Sequence, residues 1–215
     1  MATIRPFKGF RPTPELCSKV AALPYDVMTS KEAREMVKND PYSFLHVDRA
    51  EIDLPENVDI YSKEVYEKAA SNLNKMIEDK VLIQDSKPVF YIYSLTMNGR
   101  EQIGLVVCTS IDEYLNNTIK KHEFTRADKE QDRINHVDYC NANTGPIFLT
   151  YKNQKTIDQI ISKETEKAPI YDFTSEDKVE HKVWLIDEDN VINDLVEQFK
   201  NGPKTSILLT RTFTA

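Results

Sequence analysis

Between Pro88 and Cys108 two runs rich in β-branched and aromatic residues, Val89–Leu95 and Gln102–Cys108, flank the dipeptide Asn98-Gly99. A two-residue hairpin turn needs positive φ at both central positions, and Asn-Gly adopts it at little cost. The spacing therefore predicts an antiparallel hairpin. Both runs carry apolar residues on both faces, which predicts two strands at the centre of a mixed sheet with cover on each side. An all-helical fold is excluded by this segment alone. The complementary signal lies just before it. From Tyr61 to Lys80, apolar residues recur at Tyr61, Val65, Ala69, Leu73, Met76 and Ile77, with Glu and Lys between them. That period predicts an amphipathic scaffold helix.

The remaining segments alternate in type. Thr3–Phe7 reads as an edge strand ending near Pro6. Pro12 and Pro14 open a helix carrying Leu16, Val20 and Leu23, which Pro24 ends by holding Leu23 extended. A second helix runs from a Thr29 or Ser30 cap through Met36. Ser43–Val47 reads as a short strand leading to an acidic loop with Asp48, Glu51 and Asp53. Ile147–Tyr151, Ile170–Phe173, Val179–Asp187 and Thr205–Leu209 read as strands, and Thr156–Ile161 and Val191–Phe199 as helices. Strands mixed with helices and hairpins give an α+β class. Neither a linker nor a repeat breaks the chain, so it reads as a single domain over 1–215. His181 shares an apolar strand face with Val179, Val183 and Leu185, where a histidine is usually a satisfied core residue. Cys108, in an apolar strand, reads as core.

Charge narrows the function. The net charge of −7 at pI near 5.2 disfavours nucleic acid and anionic membrane as partners. No apolar run approaches the roughly 20 residues that span a bilayer, and Met1–Pro6 lacks the apolar core of a signal peptide. Cys17, Cys108 and Cys140 are far apart and form no Cys-x-x-Cys pair, which fits a cytoplasmic protein without a disulfide framework or zinc knuckle. There is no Walker loop, Gly-x-Gly-x-x-Gly, His-Glu-x-x-His or nucleophile elbow.

One stretch concentrates charge. The fourteen residues from Lys120 to Arg133 hold five Lys/Arg, four Asp/Glu and one His. Its first part reads as a strand end and its second as a helix, with Thr125 and Asp128 at capping-box spacing. Such a turn offers free N–H groups and a positive dipole end to an anion. Lys129, Arg133 and His136 recur at helical spacing on one face. A salt-bridged surface helix is the alternative. Asp26, in the Leu23-Pro24-Tyr25-Asp26-Val27 segment, is either a carboxylate base or a turn residue.

Several segments together resemble one family. They are Ile4-Arg5-Pro6-Phe7, Leu23-Pro24-Tyr25-Asp26-Val27, Glu32-Ala33-Arg34, Pro41–Val47 and Glu51-Ile52-Asp53-Leu54-Pro55, then Lys120-Lys121-His122-Glu123 with Thr125, Lys129-Glu130, Asp132-Arg133 and Gly145-Pro146-Ile147. They resemble the bacterial and archaeal domain of unknown function ten-fifteen family, sometimes labelled as regulators of the sporulation protein Spo-zero-J. That family is similar to the free serine kinases and to the ParB/sulfiredoxin fold, here with a large insertion. The resemblance implies a nucleotide-dependent phosphotransferase acting on a small, serine-like hydroxyl substrate, with ATP or ADP and magnesium; a non-catalytic ParB-like nucleotide- or DNA-binding regulator is the alternative. It further implies Glu123 and Asp26 as carboxylate candidates, and Lys121, His122, Arg126, Lys129 and Arg133 as substrate- or phosphate-binding candidates. No metal-ligand set is indicated, and oligomers are compatible with it. Glu123, Lys129 and Arg133 are expected in one cleft with Asp26 or Tyr25. The family's Ala-Asp-Gly-His-His-Arg phosphate turn is replaced here by Ser206–Ala215, in which only Arg211 and the small residues after it correspond to its end. The chain thus reads as an N-terminal portion of a longer architecture, inactive and weak in nucleotide binding.

Overall fold

A computed structural model describes residues 2–121 and 126–202, and the backbone of 206–209. The first third of the chain is built from short elements: β1 (Ile4–Arg5), β2 (Phe10–Pro12), α1 (Cys17–Val20), α2 (Ser30–Met36) and α3 (Leu45–Asp48). Single turns of 3-10 helix occupy Tyr25–Val27 and Ala50–Asp53. Then come α4 (Lys63–Glu78), β3 (Leu82–Gln84), β4 (Phe90–Met97), β5 (Arg100–Val106), β6 (Cys108–Thr109), α5 (Ile111–Leu115) and β7 (Ile119–Lys121). The last part comprises α6 (Ala127–Cys140), β8 (Phe148–Tyr151), α7 (Lys155–Thr165), β9 (Tyr171–Thr174), β10 (Glu180–Ile186), α8 (Asp189–Asn201) and β11 (Ser206–Leu209). The class is α+β, as the sequence predicts. These elements sort into two compact units. One takes residues 2–14, 84–121, 149–202 and 206–209; the other takes 15–83 and 126–148. Their segments alternate along the chain, so no linker composition marks them.

The first unit is organised on the hairpin. Asn98 and Gly99 have φ of 53° and 74°, the double positive φ that their dipeptide favours. β4 and β5 pair antiparallel with Tyr93 opposite Gly104 and Met97 opposite Arg100. The sheet order is β5-β4-β10-β9, antiparallel throughout, with Ile92 opposite Trp184 and Phe90 opposite Ile186. One face buries Phe90, Ile92, Trp184 and Ile186 against Ile157 of α7 and Ile192 and Leu195 of α8. Each such side chain contributes about 1.5–3 kcal/mol on leaving water. The expectation of two central strands is corrected here. β4 is inner, but β5 is the edge, and Arg100–Gly104 are exposed. Its Glu101 accepts a 2.6 Å hydrogen bond from the buried Ser94 hydroxyl. A charge on the covered face of an edge strand discourages further strand pairing, which explains why an apolar run can end a sheet. Cys108 is exposed rather than core. β1 pairs antiparallel with β6, and β11 lies between β7, to which it is parallel, and β8.

The second unit is helical. α4 buries Val65, Ala69, Leu73 and Met76 against Val20, Val47, Ala50, Val81, Leu82 and Cys140. α2 opens with a full capping box, in which Thr29 accepts from the Glu32 N–H and the Glu32 carboxylate accepts from the Thr29 N–H. A smaller cluster, Ala33, Val37, Leu45 and Ile52, packs beneath α2. Ser43–Val47 is not a strand. Leu45 and Val47 enter different apolar clusters from a tight helical turn. The acidic segment after it is no solvated loop either, since Asp48 and Glu51 are buried.

Candidate functional site

Helix α6 breaks the usual amphipathic rule. Its buried stripe is Asp132, His136 and Cys140, at i, i+4 and i+8, while Ile134 and Val137 face outward. A polar stripe turned inward requires partners, and the second unit supplies them. The Asp132 carboxylate accepts from Tyr66 of α4 at 3.0 Å and from Arg133 Nη2 at 3.0 Å and Nε at 3.2 Å. His136 Nε2 donates to the Val47 carbonyl at 3.0 Å, which assigns the tautomer and leaves Nδ1 facing the Thr144 hydroxyl at 3.5 Å. Burial holds this imidazole below its ordinary pKa, hence neutral.

Arg133 reaches outward from this network. Its guanidinium lies 4.4 Å from the Tyr25 ring centroid, a contact between a delocalised cation and the negative face of an aromatic ring. Tyr25 is itself held from below. Its carbonyl accepts from Arg49 Nη1 at 3.2 Å. Arg49 also donates to Ser30 Oγ at 2.9 Å and pairs with Glu51 at 2.9 Å, and Ser30 closes the ring by donating to Glu51 at 2.8 Å. The turn carrying Asp26 is thus fixed from the buried side. The Asp26 carboxylate is exposed and has no partner among the described residues. One turn before Arg133, Lys129 donates to Tyr61 Oη at 2.8 Å, its ammonium 5.3 Å from that ring centroid.

Three carboxylates are buried here, Asp48, Glu51 and Asp132. Two of them hold arginines, Glu51 with Arg49 and Asp132 with Arg133. Asp48 has no ion pair within 4 Å among the described residues. Burial pushes its carboxyl up to about 6, with a Thr144 hydrogen bond and the Arg133 charge pulling the other way. The neighbouring Cys140 thiol is raised to about 11, first by burial and then by Asp48, and is inert as a nucleophile at neutral pH.

The candidates named from sequence distribute as follows. Arg133 and Lys129 share one face of α6, and Arg133 meets Tyr25 beside Asp26. His136, expected on that face, is buried instead. Arg126 is the N-cap of α6, makes no capping bond, and pairs with Asp128 at 2.7 Å in solvent. A Thr125 cap, His122 and Glu123 lie outside the described residues. Lys121 belongs to the first unit, where its ammonium stands 4.4 Å from the Tyr114 ring centroid. Sequence reasoning missed Arg49, Asp48, Tyr66 and Thr144. The available signal was the α6 pattern itself, since a helix whose periodic positions are Asp, His and Cys must bury polar groups.

This arrangement suits recognition of an anion. Arg133 Nη1 makes no hydrogen bond among the described residues, Lys129 has spare donors, and two tyrosine rings back the two cations. Among the described residues no group of three or more His, Cys, Asp or Glu is placed to hold a metal ion, and no helix is long and apolar enough to cross a membrane. A family model described as protein of unknown function (DUF1015) matches residues 4–207. No curated protein and no solved structure matches the chain.

Proposed function

The chain belongs to the DUF1015 family of proteins of unknown function, and on that premise we propose a phosphotransferase-like role. In this reading the outer face of α6 binds the phosphate of ATP or ADP beside a small hydroxylated substrate. The observation that carries it is the Arg133 guanidinium 4.4 Å from the ring centroid of Tyr25, the residue that precedes the exposed Asp26 in its turn. Phosphoryl transfer needs little else from a protein than positioned cations and an oriented nucleophile. Asp26 would take the proton of the substrate hydroxyl as its oxygen attacks the terminal phosphorus. The bond from that phosphorus to the bridging oxygen then breaks and the shortened nucleotide leaves. Magnesium, when bound with the nucleotide, would offset the charge of the phosphates.

Weak nucleotide binding is part of the proposal. Arg133 and Lys129 are already engaged by Asp132 and Tyr61, and a phosphate must compete with those partners. Hydrogen bonds to charged groups contribute about 1.5–3 kcal/mol each, so exchanging an internal contact for one to phosphate leaves only a modest net affinity. The test is nucleotide consumption at millimolar ATP or ADP, with and without L-serine and related hydroxyl compounds. Slow consumption that requires the hydroxyl compound and disappears in Asp26→Asn supports the proposal. Consumption indifferent to the hydroxyl compound, or to Asp26→Asn, sinks it. One observation favours a second reading, a non-catalytic nucleotide-binding regulator: both cations already hold internal partners, Asp132 and Tyr61. Binding without consumption under any condition would support that reading.

A further inference from the structure

We propose that the open face of the antiparallel sheet binds a planar heteroaromatic ring of the nucleobase class, seated over Gly104 of β5. Helices cover the face that carries Phe90, Ile92, Trp184 and Ile186. By alternation the other face presents Phe173 of β9, His181 of β10 and Tyr93 of β4. Their rings form a ladder across three neighbouring strands. The Phe173 and His181 ring centroids are 4.8 Å apart with planes at 10°, and those of His181 and Tyr93 are 6.0 Å apart at 19°. Hydrogen bonds hold the ladder in place. Tyr93 Oη meets His181 Nδ1 at 2.7 Å, and His181 Nε2 meets Ser175 Oγ at 2.9 Å. Tyr93 is thereby drawn toward β10 and away from β5. On β5, where the next ring of the ladder would stand, Gly104 lies opposite Tyr93.

Neither backbone nor packing calls for glycine there. A glycine inside a strand marks a positive φ, a bulge, or a place where another group comes close to the backbone. Gly104 does not have a positive φ. Its strand keeps unbroken register from Val106 opposite Tyr91 to Arg100 opposite Met97, so there is no bulge. A Cβ at Gly104 would find only the Tyr93 carbonyl oxygen within 4 Å, at 4.0 Å. What the glycine keeps is open space above the backbone. A ring set there would lie one strand spacing, about 4.8 Å, from Tyr93, within the range of ring stacking. Gln102, two residues along on the same face, is exposed, and its side-chain amide has no hydrogen-bond partner among the described residues. That amide offers both donors and an acceptor to the edge of a ring, which favours a nucleobase over a hydrocarbon ring. The net charge of −7 disfavours a polynucleotide as the carrier of the base. The site shares no residue with the outer face of α6 and does not depend on it.

Adenosine, which lacks phosphate, is the probe, and ribose is the control. The full chain is titrated with each and followed by NMR at the Tyr93 ring protons and the Gly104 amide. Adenosine should move both signals, with the ring protons shifted upfield by stacking, and should saturate at millimolar concentration; ribose should move neither. Gly104→Val fills the space above the backbone. It should weaken adenosine by about tenfold or more, with a thermal midpoint no lower than that of the native chain, because a β-branched residue suits a strand. Gly104→Ala, with one methyl in the same space, should fall between the two. Tyr93→Leu should weaken adenosine as much as the valine does, and Arg133→Gln should leave it unchanged. Native Tyr93 signals that stay still at millimolar adenosine, or that respond equally to ribose, overturn the proposal without recourse to any variant. Adenosine binding undiminished in Gly104→Val overturns it as well.

Discussion

Replacing Arg133 by Met keeps the apolar stem and removes the charge. Asp132, with only a tenth of its side chain exposed, then keeps Tyr66 and loses both arginine contacts. Leaving one member of a fully buried ion pair unpaired costs about 3–5 kcal/mol. Arg133 is about a third exposed, so water already screens part of that interaction, and about 2–3 kcal/mol is expected. Loss of the stacking on Tyr25 lies within this range. The cost depends on pH, because an unpaired buried carboxylate escapes it by taking a proton. Hydrogen exchange read by mass spectrometry should show protection in α4 and α6 falling roughly thirty- to hundredfold at pH 7.5. The fall should be clearly smaller at pH 5. A loss of protection under twofold, or one equal at both pH values, would refute the reasoning that this pair anchors α6.

Three further outcomes follow from the geometry. His46 donates from Nδ1 to Asp53 at 2.9 Å and from Nε2 to the Asp40 carbonyl at 3.1 Å, so it is an imidazolium with a raised pKa, owing first to the Asp53 hydrogen bond. Its contribution is complete below the ordinary histidine value and is lost as pH rises through the raised one. The Asp53 side chain, lowered by His46, loses its share as pH falls below the ordinary carboxylate range. Urea midpoints across pH should therefore show an acidic plateau that His46→Gln flattens. In Gly9→Ala the new Cβ would stand 2.4 Å from Tyr91 Oη, which accepts from the Gly9 N–H, so about 1–3 kcal/mol should be lost in urea denaturation, with Tyr91→Phe less than additive to it. Gly99→Ala meets no atom within 4 Å but must hold φ of 74°, so thermal unfolding should show a penalty of about 1 kcal/mol from backbone strain alone.

The legible parts of this fold are those in which local chemistry and tertiary demand agree. Asn98-Gly99 and the α4 stripe each carry their own reason to adopt one conformation, and each does; of the two caps open for α2, Thr29 or Ser30, the structure uses Thr29. The strand expected at Ser43–Val47 is instead a tight helical turn that sends Leu45 and Val47 into two different apolar clusters. The edge position of β5 depends on partners far along the chain, which no local run encodes. At the candidate site, Lys129, Arg133 and Tyr25 were legible as charged and aromatic residues in the segments that carry the family resemblance. Asp48 and Arg49 were not. They look like members of an acidic loop until α3, the 50–53 turn and α6 fold together and remove them from water. Burial of a charge is a tertiary fact, and the only trace of it in sequence is the missing apolar stripe of α6.

The most direct test of the account is the affinity of this chain for ADP, by calorimetry at physiological salt, for the native protein, Lys129→Ala and Arg133→Gln. The account predicts a native Kd in the high micromolar to millimolar range, about 4–6 kcal/mol. Each variant should weaken it by about tenfold, and added salt should weaken it further. Binding left unchanged by both substitutions would contradict it, and the outer face of α6 would then be a solvated, salt-bridged surface.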